Sequence, residues 1–166
     1  MGHLIKSMKH SLLIFSLLIF SFTTPAQQIP AYSAEDIIAH TSGKDTIYII
    51  NFWATWCAPC VHELPEFNTL QKYYEGKRVK VLLVSLDFKE DYPGKLARFL
   101  QMKNIMPEVV WLSDTNPNTF IPKIDNSWQG SIPATLIVAP GKQFKKFMEG
   151  TVTAKKIRKI ADPLLH

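Results

Sequence analysis

The amino-acid sequence predicts an α/β fold in which helices cover both faces of a central β-sheet. Short apolar runs such as 80–87 alternate with segments of helical periodicity such as 58–76, and this alternation is typical of α/β sheets. Two predicted strands, 134–139 and 144–150, are joined by a tight turn and predict a hairpin at the end of the sheet. A chain of 166 residues can bury one core, so we expect a single domain.

Each element has its own justification in the sequence. Ser33 is a helix-capping residue, and apolar residues recur every three or four positions along 58–76, a helix that ends at Gly76 and should be kinked at Pro65. The full order is a helix at 33–40, a strand at 45–54, a helix at 58–76, a strand at 80–87, a helix at 92–104, a strand at 108–113, a helix or turn at 117–124, the hairpin, and a helix at 153–165.

The first 26 residues predict a secretory signal peptide, which leaves 27–166 as the folded domain. Positive charges at Lys6 and Lys9 precede the uncharged apolar run 12–22, and small residues follow it. This run is short for a membrane span, which needs about 20 residues, so an uncleaved N-terminal anchor is the alternative. We therefore expect a periplasmic or otherwise extracytoplasmic protein, in a compartment where thiols become oxidised.

The charge pattern gives no support for nucleic-acid binding. The net charge of +5 is not gathered into a dense basic stripe. The basic cluster 155–159 alternates with Ile157 and Ile160, which predicts the solvated face of an amphipathic helix. We expect a monomer that binds no nucleic acid.

The stretch NFWATWCAPC, residues 51–60, contains the only two cysteines of the chain. As a structural staple, a Cys57–Cys60 disulfide would close a loop of four residues and contribute little stability. A structural zinc site needs more ligands than one such pair, and His62 lies one residue too late for haem attachment and is expected at the surface. We predict no metal site, although copper binding stays open as a minority alternative.

A redox role explains both the spacing of the cysteines and their surroundings. Cys57 is predicted at the N-terminus of a helix, where unpaired backbone N–H groups and the helix dipole lower the pKa of a thiol and make it nucleophilic. Cys60 lies one turn further on and can attack the mixed disulfide that Cys57 forms. Pro59 removes a backbone donor between them and stiffens the turn.

Two motifs resemble the thioredoxin superfamily, and more narrowly its extracytoplasmic branch typified by TlpA and ResA. They are NFWATWCAPC followed by VHELP, and SIPAT at 131–135. The resemblance implies a thioredoxin-like fold with a mixed central sheet, a TlpA-type insertion within 88–113, and a cis Pro133 that faces the cysteines. It also implies a redox-active Cys57–Cys60 disulfide with no other cofactor.

The resemblance further implies the activity and the partners. Members of this branch are thiol-disulfide oxidoreductases, so we expect an enzyme that reduces disulfides in extracytoplasmic proteins and receives electrons from a membrane-bound donor. One alternative is a thiol peroxidase, which is disfavoured because Ala54 occupies the position of the threonine that peroxidases need. A copper-binding or oxidase-assembly factor of thioredoxin fold is another.

Other site residues follow from the same comparison. Asn51 stands where the superfamily often has a buried Asp, and Glu63 matches a glutamate typical of the ResA-like branch, which suggests that Glu63 handles protons or shapes the groove; an ordinary solvated glutamate is the alternative. For substrate binding we expect an exposed Trp56 beside Cys57 and the backbone of Ile132, which would pair with an extended peptide. Trp128 either lines the same groove or packs under the loop.

Overall fold

The computed structural model describes residues 29–166, which form a six-stranded sheet and five α-helices. The predicted signal peptide, 1–26, lies outside the described residues. The strands are β1 (Ala31–Tyr32), β2 (Ile47–Trp53), β3 (Val79–Ser85), β4 (Glu108–Leu112), β5 (Ala134–Ala139) and β6 (Phe144–Glu149). The helices are α1 (Ala34–His40), α2 (Ala58–Tyr73), α3 (Gly94–Met102), α4 (Pro117–Ile124) and α5 (Ala154–Ala161).

The sheet is mixed, as the sequence predicts. Its strand order is β1-β4-β3-β2-β5-β6. The first four of these run parallel, whereas β5 is antiparallel to both β2 and β6. The predicted hairpin of β5 and β6 is confirmed, and it turns through the 3₁₀ segment Pro140–Lys142. Strand β2 therefore lies near the centre of the sheet. The segment with the two cysteines follows directly after its carboxyl end.

Two hydrophobic clusters cover the two faces of the sheet and confirm the predicted layers. Every residue of β2 is buried, and its side chains alternate between the clusters. Trp53 packs in the cluster that includes α2, α3 and α5, while Phe52 packs in the cluster that includes α1 and α4. Since β2 contributes side chains to both clusters, it is held on both sides and positions the residues that follow it.

Helix α2 begins where the sequence predicts and ends three residues before Gly76. Cys57 is its N-cap, and Pro59 lies in its first turn, where a proline is tolerated because that N–H has no helical partner. Leu64, Phe67 and Leu70 form its buried face. Pro65 lies inside the helix without ending it. Gly76 has a positive φ of 71° and follows in the turn that leads to β3, a conformation that glycine adopts without strain.

The segment 88–113 contains the helix α3 and the strand β4, as expected for the insertion. Strand β4 pairs with β3 on one side and with β1 on the other. Strand β1 was not predicted, because its two residues are too few to show a period. Helix α5 shows the predicted amphipathic pattern, with Ile157 buried and Lys155 and Lys156 exposed. In the part of the chain that the structure describes, every helix is too short or too polar to span a membrane.

Candidate active site

Cys57 and Cys60 form a disulfide at the junction of β2 and α2. Their Cα atoms lie 5.2 Å apart. Cys57 is 6% exposed, whereas Cys60 is completely buried. The Cys57 sulfur accepts a hydrogen bond from the backbone N–H of Cys60 at 3.3 Å, so the open end of the helix already points a donor at this atom. After reduction the same geometry favours a Cys57 thiolate. Because Cys60 is completely buried, Cys57 is the cysteine of the pair that another thiol or disulfide can reach.

The segment Ile132–Pro133 lies against the cysteine pair. The peptide bond between these two residues is cis, and the carbonyl oxygen of Ile132 is 3.8 Å from the Cys57 sulfur. The position follows from the sheet, because β5 starts at Ala134, which is paired with Phe52 near the end of β2. Pro133 is buried and Ile132 is half-buried, so part of the Ile132 residue faces a substrate that approaches Cys57.

Glu63 lies in a buried polar cluster one turn after Cys60 on α2. Its side chain is 3% exposed, so the alternative of a solvated glutamate is wrong. One carboxylate oxygen accepts from Asn51 Nδ2 at 2.9 Å, and the other accepts from the backbone N–H of Val152 at 2.8 Å. Asn51 is fully buried and faces α2 because it shares a face of β2 with Trp53. The cluster therefore joins α2, the central strand and the segment before α5.

The environment of Glu63 raises the pKa of its carboxyl group. Burial is the largest cause, because it disfavours the charged form. The hydrogen bonds from Val152 and Asn51 act in the opposite direction, and the nearby Glu66 adds a further increase. A buried carboxyl group with a raised pKa can take up and release a proton closer to neutral pH than a solvated one.

The Asn51 side chain is an incomplete partner within this cluster. Its Nδ2 atom also lies 3.2 Å from the Ala134 carbonyl oxygen and 3.2 Å from Thr135 Oγ1. Its Oδ1 atom, in contrast, has no hydrogen-bond partner among the described residues. A buried amide oxygen without a donor is unfavourable, so Asn51 has one acceptor available for a proton donor that turns toward it.

Asp87 holds the turn that precedes Cys57, a role that the sequence did not reveal. Its carboxylate accepts from the backbone N–H of Thr55 at 3.0 Å, from the Thr55 hydroxyl at 2.5 Å and from the Ser85 hydroxyl at 2.7 Å. Asp87 is 4% exposed and lies just after β3, the parallel neighbour of β2. The signal was present, because polar residues after neighbouring parallel strands meet at one edge of the sheet.

A groove with aromatic walls opens beside Cys57. Trp56 is 52% exposed, which confirms the prediction of an exposed ring, and it stacks on Phe88 with a centroid distance of 5.7 Å. Trp128 is buried, packs on Phe52, and donates its indole N–H to the Ser131 carbonyl at 2.9 Å. Trp128 nevertheless also lines the groove, so both alternatives for this residue describe part of its position.

We call this cavity the aromatic groove. It has a volume of about 460 Å³. Its apolar lining consists mainly of Trp56, Phe88, Phe120, Ile121, Trp128 and Ile132. Phe88 was not predicted from the sequence, because an exposed aromatic residue in a loop has no periodicity that marks it.

The two remaining residues named from the sequence near the cysteines lie at the surface. Pro59 and His62 are both exposed on the first turns of α2. Within residues 29–166, no group of three or more His, Cys, Asp and Glu side chains is arranged to hold a metal ion.

The fold and the Cys-x-x-Cys disulfide at the start of α2 define a thioredoxin-like protein, which confirms the resemblance seen in the motifs. Residues 19–146 match the AhpC/TSA family, and the chain belongs to that family. It is 28% identical over 109 residues to the thiol-disulfide oxidoreductase ResA of Geobacillus thermodenitrificans, a match that covers 66% of this chain and 58% of that protein. It is also 28% identical over 146 residues to the thioredoxin-like protein YneN of Bacillus subtilis, covering 82% and 78% of the two chains.

Solved structures agree on the fold. StoA from Bacillus subtilis superposes with a TM-score of 0.57 at 22% identity, covering 70% of this chain and 83% of that one. A thioredoxin-related protein from Neisseria meningitidis serogroup B gives a TM-score of 0.62 at 22% identity, covering 82% and 97%. Among the curated relatives, the matches to ResA proteins of four organisms span only 52–58% of their length.

Proposed function

We propose that the chain is an extracytoplasmic thiol-disulfide oxidoreductase that reduces disulfides in other proteins through Cys57 and Cys60. The observation that carries this proposal is the asymmetry of the pair. Cys57 keeps a small exposed fraction of 6% at the helix N-terminus, whereas Cys60 is completely buried one turn behind it. This is the arrangement that two-step exchange needs, with one attacking thiol and one resolving thiol. The name of the ResA relative supports it.

The reaction transfers two electrons in two steps. In the reduced protein the Cys57 thiolate attacks one sulfur of a substrate disulfide, so the substrate S–S bond breaks while a Cys57–substrate S–S bond forms. The other substrate sulfur leaves as a thiolate and takes up a proton. The Cys60 thiolate then attacks Cys57, which forms the Cys57–Cys60 disulfide and releases the second substrate thiolate. The substrate has gained two electrons and the protein has lost two.

Glu63 is the proton acceptor in this scheme. Cys60 is buried and must lose its proton before it can attack Cys57. Asn51 cannot take that proton, because an amide does not titrate near neutral pH. Glu63 lies one turn from Cys60 in the same buried region, and its raised pKa suits it to accept a proton there.

The location and the electron source complete the proposal. The predicted leader directs the protein out of the cytoplasm. In the oxidising compartment outside, its disulfide would persist after each turnover. A reductase in such a compartment must be reduced again, so we assign this step to a membrane-bound electron donor. One of the solved structures with the same fold is described as a secreted thiol-disulfide isomerase from Corynebacterium glutamicum.

Trapping of the mixed disulfide tests the function. Cys60→Ser removes the resolving thiol, so Cys57 should stay bonded to its substrates as adducts that reductant releases. Cys57→Ser is the matched control, since it leaves the buried Cys60 as the one thiol of the site. It should give no adducts. Adducts in equal amounts from both variants, or from neither variant when the cells are oxidised, would refute the proposed roles.

A further inference from the structure

The aromatic groove exposes two large aromatic side chains, Trp56 and Phe88. In the described part of the chain, five large hydrophobic side chains are exposed, and the two aromatic ones, Trp56 and Phe88, lie together. Their rings stack with an interplanar angle of 17°, so they form one continuous flat wall at the mouth of the groove. An exposed apolar surface of this kind marks a place where another molecule binds.

The charged residues of the aromatic groove are mostly acidic, although the chain as a whole is basic. Its lining includes Glu90 and Asp114 against a single Lys89, together with Asp87, which is buried and has its carboxylate bonded to Thr55 and Ser85. The whole chain carries a net charge of +5. Glu90 and Asp114 therefore give the groove a small excess of negative charge over Lys89, which favours a cationic group on the bound segment.

The aromatic groove lies beside the reacting sulfur. Ile132 lines the groove, and its carbonyl oxygen is 3.8 Å from the Cys57 sulfur. Trp56 is the residue before Cys57 and forms the wall on the other side. A polypeptide bonded to Cys57 would thus place the residues beside its own cysteine in this groove.

The resemblance already implies that a substrate binds beside Cys57; we propose that the aromatic groove selects, among such extended segments, those that carry an aromatic side chain and a Lys or Arg next to the reacting cysteine. The aromatic side chain packs between the Trp56–Phe88 stack and the opposite wall of α4, with Trp128 as the floor. The cationic side chain faces Asp114 and Glu90. This inference rests on the proposed oxidoreductase function, and it adds the substrate class.

Four synthetic peptides test the selection. Each contains one cysteine that is joined to glutathione as a mixed disulfide, and the neighbouring residues are Phe and Lys, Ala and Lys, Phe and Glu, or Ala and Glu. The rate at which the reduced protein releases glutathione from each peptide is measured under second-order conditions. We expect replacement of Phe by Ala to slow the reaction about tenfold. Replacement of Lys by Glu should slow it about fivefold at low salt and less at high salt.

Variants assign the selection to the groove. Phe88→Ala should remove most of the preference for Phe, and Asp114→Asn should reduce the preference for Lys. Asn at 114 keeps an oxygen that can accept the hydrogen bond from Ala34 N–H, now 2.9 Å from Asp114. Met102→Ala is the matched control, because Met102 is 72% exposed and lies on α3 outside the groove. It should keep both preferences and the rate of the parent protein.

A small disulfide separates the two proposals. Every peptide rate is divided by the same protein's rate with hydroxyethyl disulfide, which is too small to reach the groove. If the parent protein fails to reduce this compound, the proposed function is wrong. If it reduces the compound while the four peptides react equally, or while Phe88→Ala keeps the preference for Phe, the groove does not select substrates and the further inference is overturned.

Discussion

Replacement of Glu63 by Gln should make the oxidised protein more stable at neutral pH, even though it removes a charge that accepts two hydrogen bonds. The pKa of Glu63 is raised in the folded state above its ordinary value of 4.5, with burial as the main cause. A carboxyl group of this kind contributes most to stability when both states are protonated, below about pH 4.5. That contribution is lost as the pH rises through the folded-state pKa. A glutamine resembles the protonated acid at every pH and does not lose it.

The size of the effect follows from the pKa. Each unit by which folding raises the pKa reduces the free energy of unfolding by about 1.4 kcal/mol once the pH is well above it. The two hydrogen bonds, at 2.9 Å and 2.8 Å, are already included in that balance, because they lower the pKa and burial outweighs them. With a urea m-value of about 2 kcal/mol/M, one unit shifts the unfolding midpoint by about 0.7 M.

Urea unfolding of both oxidised proteins between pH 4.5 and pH 8 measures this difference. The disulfide is kept closed so that neither cysteine titrates, and other groups cancel between the two proteins. Glu66→Gln removes the other carboxylate of α2, which is half-buried and accepts the backbone N–H of Ala154 at 2.6 Å; because Glu66 also raises the pKa of Glu63, this variant shows how much of the effect comes from that neighbour. If the urea midpoint of Glu63→Gln does not rise relative to that of the parent protein as the pH increases, burial of Glu63 does not destabilise the charged form as proposed.

Three further outcomes are expected. In the reduced protein, Cys57 should react with iodoacetamide well before Cys60, because Cys60 is completely buried; equal rates by mass spectrometry would contradict the assigned roles. Asp87→Asn should lower the free energy of unfolding by about 1–3 kcal/mol, since the charged acceptor of the turn before Cys57 is lost, and a change within about 0.5 kcal/mol would show that this carboxylate does not hold the turn. N-terminal sequencing of the protein from an extracytoplasmic fraction should begin at or near Gln27, whereas an intact Met1 in the cytoplasm would contradict the predicted signal peptide.

Local sequence patterns were enough to predict the fold class and the position of the two cysteines. The bounds of α2 follow from the periodic Leu64, Phe67 and Leu70 and from a cap at Cys57, all of which lie within one segment. The position of Pro133 beside Cys57 required the resemblance as well, because the two residues are far apart in sequence and meet only through the pairing of β5 with β2. The sequence therefore predicted best the features that neighbouring residues determine.

Features made by distant segments could not be predicted in the same way. Glu63 could be nominated, but its burial depends on Val152, which approaches only when α5 packs on α2. Phe88 belongs to a loop without periodicity, and its contact with Trp56 exists only in the folded sheet. Strand β1 is defined by two residues that pair with β4, so tertiary contact rather than propensity decides it.

The hydrogen bond from Val152 to Glu63 also makes the backbone amide of Val152 an NMR probe of the charge on the Glu63 carboxylate. The Val152 amide proton points at Glu63 Oε2 over a donor–acceptor distance of 2.8 Å, so its NMR chemical shift will follow the charge on that carboxylate. A ¹⁵N-labelled sample titrated with acid then gives the Glu63 titration curve from one cross-peak, without a substitution or a dye. Recording this curve before and after reduction reveals whether Glu63 gains or loses a proton when the disulfide opens.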